Sequence, residues 1–382
     1  MNVPKLRFKE FNDEYNITKL NKIIDVIDGD RGNNYPKKND FYENEFCLFL
    51  NAGNVTKNGF SFKSNQFITK EKDKKLRNGK LLINDIVLTT RGTVGNVAWF
   101  NQKTLYKNIR INSGMVINRI KNSSFLLPEY LYSYMSSPIF KSQVNKMNYG
   151  SAQPQLTVSG INNFNIQYPS INEQKKISTI MLLLDKKIEL QSKKIEGLKL
   201  FKKRLSTTIF NSLRDFEEYK LGKICNITTG KLDANAMIDN GKYRFYTCAK
   251  EYSFIDKYAF DTEALLISGN GAYVGYIHYY KGRFNVYQRT YVLDNFSQNI
   301  QFIKCYLDEN LAKRINSEKK EGNTPYIVLS TLSDMVIKIP SKENQIKISN
   351  IINYHNKKIE LEENKLLKLQ ELKKGLMQNM FV

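Results

Sequence analysis

The side chains in this sequence whose types and spacing could do chemistry are mainly cations. A polar run over 69–80 carries Lys74, Lys75 and Arg77, and Arg91 and Arg110 follow apolar stretches further on. In the second half Arg244, Lys250, Arg283 and Arg289 are interleaved with tyrosines, and Lys319 and Lys320 close a polar stretch. A guanidinium is planar, always charged and able to fork onto two acceptors at once. The chemistry on offer is recognition of a polyanion, in which phosphate contacts set position and base-edge contacts set sequence. Arg91 and Arg110 are the candidates for gripping guanine bidentately. The competing reading of each of these residues is a solvated surface charge.

The whole composition points the same way. Lys+Arg 59 against Asp+Glu 37 leaves a net charge of +22, and neutralising phosphates releases condensed counterions. A Lys- and Asn-rich genome bias is the bland alternative. Catalytic sets are not visible. Cys47, Cys225, Cys248 and Cys305 are far apart with no CxxC pair, and His278 and His355 are the only histidines. That argues against a disulfide framework or a zinc site. No Pro-Pro, Walker loop or HExxH occurs. Gly269-Asn270-Gly271-Ala272-Tyr273-Val274-Gly275 has the wrong spacing for a dinucleotide loop and reads as a tight turn between strands, with His278 in a sheet. The chain is therefore expected not to be an enzyme. The opening lacks a signal-peptide core and no run reaches transmembrane length, so a cytoplasmic protein with no membrane partner is expected.

Behind these residues stands a duplicated scaffold. At a slide of 171 residues, Pro154–Phe210 falls without gaps on Pro325–Phe381, with 21 of 57 positions identical. Lys19-Leu20-Asn21-Lys22-Ile23 matches Lys220-Leu221-Gly222-Lys223-Ile224 at a slide of 201, with Gly29 on Gly230. The first copy thus carries about 30 extra residues between its opening and its final helix.

Two kinds of segment alternate. The stretches 172–210 and 343–381 lack Pro and carry apolar residues at helical spacing: Leu184, Ile188, Ile195, Leu198 and Leu205 in one, Ile359, Leu366, Leu369 and Leu376 in the other. Asp185 and Asn356, read as N-caps, would divide each into two helical pieces. Such apolar seams need a partner, and the economical partner is the other copy. The segments between look like compact mixed α/β domains. Leu81–Thr90 and Ala264–Ser268 read as buried strands, Tyr243–Tyr246 and Tyr287–Val292 alternate like strands, and short helices follow around Tyr130–Gln143 and Phe302–Arg314. The expected class is α+β, with domains at 1–169 and 213–340 and helical regions at 170–212 and 341–382.

These residues carry a family likeness. Val3-Pro4-Lys5-Leu6-Arg7-Phe8, then Asp85-Ile86-Val87-Leu88-Thr89-Thr90-Arg91-Gly92-Thr93-Val94-Gly95, resemble the specificity subunits of type I restriction–modification enzymes. So do the join Tyr149-Gly150-Ser151-Ala152-Gln153-Pro154-Gln155-Leu156-Thr157 and the runs Asn172-Glu173-Gln174-Lys175-Lys176-Ile177 and Asp185-Lys186-Lys187-Ile188-Glu189. The likeness covers residues 3–382. The second copy departs at Glu321-Gly322-Asn323-Thr324-Pro325 and where Asn344 stands for Glu173.

The resemblance implies two target recognition domains, each reading one half of an asymmetric bipartite site in double-stranded DNA. It implies spacer helices that pair antiparallel under a pseudo-two-fold axis. Two methyltransferase subunits and restriction subunits are the implied partners, and S-adenosylmethionine, ATP and Mg are expected on them, with no cofactor on this chain. The alternative is a coiled-coil scaffold whose variable domains bind RNA or protein. Helices of 25–40 residues would be about 37–60 Å long, or one to two duplex turns of ~34 Å, and would act as a ruler for the unspecified bases. Lengthening Leu198–Arg214 by a turn should then lengthen the spacer in a methylation map. Charge is uneven: residues 1–169 hold 24 cations against 13 acids, but 213–340 hold 17 against 15. The second domain is therefore expected to lean on its partners for phosphate contacts.

Overall fold

A computed structural model describes residues 3–148, 155–318 and 326–381. It divides into two compact units, residues 1–192 with 365–382, and residues 193–364. Unit 1 begins with β1 (Asn16–Lys19), α1 (Leu20–Ile23) and β2 (Ile24–Asp28). Next come β3 (Cys47–Phe49), β4 (Val55–Thr56), β5 (Gly59–Phe60), β6 (Phe67–Ile68) and α2 (Lys70–Lys75). Strands β7 (Ile86–Thr89), β8 (Val97–Trp99), β9 (Ile109–Arg110) and β10 (Met115–Ile120) precede α3 (Pro128–Met135), α4 (Pro138–Asn148) and α5 (Val158–Asn162). The chain then runs through β11 (Asn165–Tyr168) into α6 (Ile171–Asn211).

The central sheet of unit 1 has the order β2-β10-β7-β8 and is antiparallel throughout. It is buried on both faces, which explains why its strands read as continuous apolar runs. Ile86, Leu88 and Val116 face a core shared with Tyr130, Tyr134 and Phe140 of the following helices. Val87 and Ile117 face the opposite core, with Leu48, Ile109 and Phe100. Only part of the run Leu81–Thr90 is strand. Asn84 takes a positive φ of 78°, and the Asp85 carboxylate, held by Arg119 at 2.8 and 2.7 Å, accepts the Leu82 N–H at 2.7 Å. That side-chain turn competes with the ladder and leaves Leu82 and Ile83 exposed.

Unit 2 contains β12 (Phe216–Lys220), β13 (Asn226–Thr229), β14 (Tyr243–Tyr246), β15 (Ser253–Ile255), β16 (Phe260–Ser268), β17 (Ile277–Val286) and β18 (Thr290–Asp294). These are followed by α7 (Ile300–Glu318), α8 (Leu329–Ser333), β19 (Val336–Pro340) and α9 (Lys342–Met380). Its sheet order is β13-β18-β16-β17-β14-β15. The first four strands neighbour one another as β2-β10-β7-β8 do, and β12 pairs with β19 as β1 pairs with β11. The repeat in sequence is thus a repeat in topology. The extra length of the first copy lies between β2 and β7, where residues 29–85 correspond to the shorter 230–259.

Each long helix is continuous, not two pieces. Asp185 does not cap; it forms an ion pair with Lys373. In unit 1, Ile177 and Met181 of α6 pack with Met377, Met380 and Phe381 at the end of α9. In unit 2, Lys194 and Lys199 pair with Glu362 and Glu363 at 3.1 and 2.6 Å, and Phe210 shares a core with Ile352. Numbers rise along one helix as they fall along the other, so the helices run antiparallel. Leu184, Ile188, Ile195, Leu198, Leu205, Ile359, Leu366, Leu369 and Leu376 are all buried or half-buried. Leu183, Leu190, Leu361 and Leu367 stand exposed off that seam.

A buried glutamine fastens each helix start to its own domain. Gln174 accepts the Leu127 N–H at 2.9 Å and donates to the carbonyls of Phe125 and Pro169. Gln345 likewise accepts the Asn299 N–H at 3.0 Å and donates to Gln298 and the Pro340 carbonyl. The neighbouring position explains a sequence departure. Glu173 is buried under a bidentate Arg7 fork at 2.9 and 2.8 Å and the Tyr15 hydroxyl, whereas Asn344 is exposed.

Candidate nucleic-acid interface

In unit 1 the cations gather where β2 ends, around the turn Asn112–Gly114 that leads into β10. Gly29 is required there, because a Cβ would come 2.5 Å from the Asn112 carbonyl oxygen. Beyond it, Asp30 accepts the backbone N–H groups of Arg77 and Gly32 at 2.8 and 2.7 Å. Those two bonds hold its carboxyl below the usual range and tie the 74–79 segment to the end of β2. The Arg77 guanidinium itself stays 76% exposed, 3.6 Å from Asp30. The Arg91 backbone N–H donates to the Gly114 carbonyl at 3.3 Å, with its side chain exposed. Arg31 donates to the Ser113 carbonyl at 3.3 Å and pairs with Asp28 at 2.9 Å. Arg31 and Arg91 therefore flank one turn, Arg77 is tied through Asp30 to the end of β2 that leads there, and Lys74 and Lys75 are exposed on α2 just before Arg77.

Sequence reasoning missed Arg31; its signal was the Gly29-Asp30-Arg31-Gly32 run at the position that the repeat aligns with Gly230. Arg110 is a correction. Its side chain is 5% exposed, donating to Asp73 at 2.5 Å and to the carbonyls of Asp73, Leu76 and Asn78 at 2.8–3.0 Å. With the Arg77 carbonyl at 3.4 Å as a fifth acceptor, all five N–H donors of the guanidinium are spent inside the domain and none is left for a base edge. Burial alone would raise the Asp73 carboxyl, but hydrogen bonds from Lys80 and Arg110 overcome it and hold it below the ordinary value.

Unit 2 repeats the backbone scheme with other side chains. A Cβ on Gly230 would meet the Val286 carbonyl oxygen at 2.0 Å. Gly269 donates to the Arg289 carbonyl at 2.8 Å, as Thr90 does to Gly114 at 2.8 Å, and Ile327 N–H bonds the Gly269 carbonyl as Leu156 N–H bonds Thr90. The run Gly269–Gly275 is the turn between β16 and β17. Exposed Arg289 and Lys250 belong to this end, with Lys250 Nζ 5.3 Å from the Tyr273 ring centre. Arg244 and Arg283 lie elsewhere in the sheet. Arg244 is clamped between Tyr252 and Tyr280 at 4.3 and 4.6 Å, and Arg283 pairs with Asp261 at 2.9 Å near the start of β16. His278 is a sheet residue; burial pulls its imidazole below the ordinary value, and its Nε2 lies 2.9 Å from the Ala249 carbonyl.

Lys319 and Lys320, and the joins 149–154 and 321–325, lie outside the described residues. Among the described residues no group of three His, Cys, Asp or Glu side chains is placed to hold a metal ion, and no helix is long and apolar enough to cross a membrane. What the arrangement can do is present guanidinium and ammonium groups from backbone turns, suited to phosphates and groove edges.

Comparison with known proteins agrees with this repeat. The model of the type I restriction modification DNA specificity domain matches residues 12–200 and again 214–371. The EcoDI specificity subunit of Escherichia coli is 38% identical over 135 residues, covering 35% of this chain and 30% of that protein. The MjaIX specificity subunit of Methanocaldococcus jannaschii is 24% identical over 334 residues, 76% of this chain and 75% of its own length. The crystal structure of a type I restriction–modification S subunit from M. genitalium has the same fold. It superposes with a TM-score of 0.69 over 100% of this chain and 99% of that one, at 18% identity.

Proposed function

The chain belongs to the type I restriction–modification DNA specificity family, and from that premise we propose that it reads a split site in double-stranded DNA. Each domain takes one half. The observation that carries this reading is the pair of equivalent turns, built on one backbone scheme around Gly29 and Gly230 but edged by different side chains. A shared scaffold with divergent tips predicts an asymmetric site. Arg31, Arg77 and Arg91 serve the first half, and Arg289 and Lys250 the second. Lys74 and Lys75 supply phosphate contacts that position without specifying.

In this reading the chain catalyses nothing. Two methyltransferase subunits, holding S-adenosylmethionine, and restriction subunits using ATP and Mg, carry the chemistry in the cytoplasm. The test is adenine-methylation mapping of a host genome with the chain and its cognate methyltransferase subunit. A new split motif that disappears without the chain is expected; no new motif from a soluble complex refutes the proposal. Arg91→Ala should weaken binding to the mapped site, by about 1–3 kcal/mol if it grips a guanine, and leave assembly intact. Unchanged affinity would remove Arg91 from the site.

A further inference from the structure

Unit 1 also holds a cleft of about 890 Å³, near the upper end of the usual ~300–1,000 Å³ for ligand pockets. None of Arg31, Arg77 and Arg91 lines it. Its lining takes Lys141, Asn145 and Lys146 from α4 and Gln370, Lys373 and Lys374 from α9. The lining also includes Tyr132 and Ile188, both half-buried, which lie over the core residues Val97 and Met377 and make its apolar part. Lys57, in the turn of the β4–β5 hairpin that belongs to the extra length of the first copy, also lines it. Five lysines thus face one carboxylate, Asp185, which Lys373 already neutralises. Lys57, Lys141, Lys146 and Lys374 are exposed and form no ion pair among the described residues.

We propose that this cleft is a docking site for an acidic amphipathic peptide segment of a protein partner. Charge complementarity selects an anion, since four ammonium groups in one concavity raise the local potential. The apolar part then selects among anions. Covering it releases water from apolar surface at roughly 25 cal/mol per Å², which needs an occupant with apolar side chains between its carboxylates. A phosphate backbone satisfies the lysines and leaves Tyr132 and Ile188 uncovered. A helix with leucines on one face and glutamates at its flanks meets both conditions. The inference is independent of the DNA-reading proposal and stands or falls without it.

The test uses the full chain and a synthetic peptide with Leu at i, i+3, i+4 and i+7 and Glu at the flanking positions. Trp99 is the single tryptophan, and its ring packs on Tyr132 with centroids 6.2 Å apart, so its fluorescence reports occupancy. Saturable binding that weakens with salt is expected. Lys141→Glu and Lys374→Glu, both exposed and therefore compatible with folding, should each weaken it about tenfold or more, while Arg91→Ala leaves it unchanged. A peptide with Gln for every Glu should lose most of its affinity. Absence of saturable binding, equal affinity for the charge-reversed variants, or displacement of the peptide by a short duplex of arbitrary sequence would each overturn the proposal. The last outcome would reassign the cleft to nucleic acid.

Discussion

Arg110→Ala separates an internal brace from a base reader. Arg110 and Asp73 are each 5% exposed on their side chains and meet at 2.5 Å, so neither solvent nor salt screens them appreciably. Truncating the arginine leaves Lys80 as the one cation paired with Asp73 among the described residues and strips the carbonyls of Asp73, Leu76, Arg77 and Asn78 of this donor. Removing one partner of such a buried pair costs about 3–5 kcal/mol. With a urea slope of about 2–3 kcal/mol per molar for a unit of this size, the midpoint should fall by about 1–2.5 M. The assay is urea unfolding followed by Trp99 fluorescence, because the single tryptophan sits in unit 1 and reports that unit when the two unfold separately. Below the shifted midpoint, discrimination at every position of the mapped DNA site should be retained. An unmoved midpoint together with lost preference at one base pair would refute the reasoning and return Arg110 to the reading surface.

Gln174→Leu and Gln345→Leu should each destabilise their own unit by about 1–3 kcal/mol, since both leave a buried N–H and carbonyl unsatisfied; matched thermal melts of the two variants would show whether the duplicated fastening is equivalent. Gly230→Ala drives a Cβ to 2.0 Å from the Val286 carbonyl oxygen. Because backbone must move, second-half recognition should fail while first-half contacts persist, measured by binding to half-site mutants. His278, held below its ordinary value of 6.5 by burial, takes up its proton more readily unfolded than folded. The stability it contributes is therefore complete above about pH 6.5 and lost as pH falls through the folded value. The melting midpoint of unit 2 against pH should show this slope, and His278→Gln should flatten it.

Much of the architecture is legible in the sequence. Identity at 21 of 57 positions declares the duplication, helical spacing declares α6 and α9, and the Gly29–Gly230 correspondence marks an equivalent pair of places where backbones cross too closely for a Cβ. Such features are local or repeated, and periodicity and glycine report them directly. The fate of each cation is not legible. Arg91 and Arg110 look alike in sequence, yet one is exposed and the other is enclosed by carbonyls 32–37 residues distant. Arg244 and Arg289 diverge similarly, one clamped by two tyrosines and the other exposed at the turn. Along the chain Asp185 reads as a helix cap, but its partner in the fold is Lys373, 188 residues away. Whether a charge is spent internally or offered to a ligand depends on the acceptors that long-range packing brings beside it. Composition and spacing along the chain carry no record of those neighbours, because only folding sets the distances over which charge and hydrogen bonds act.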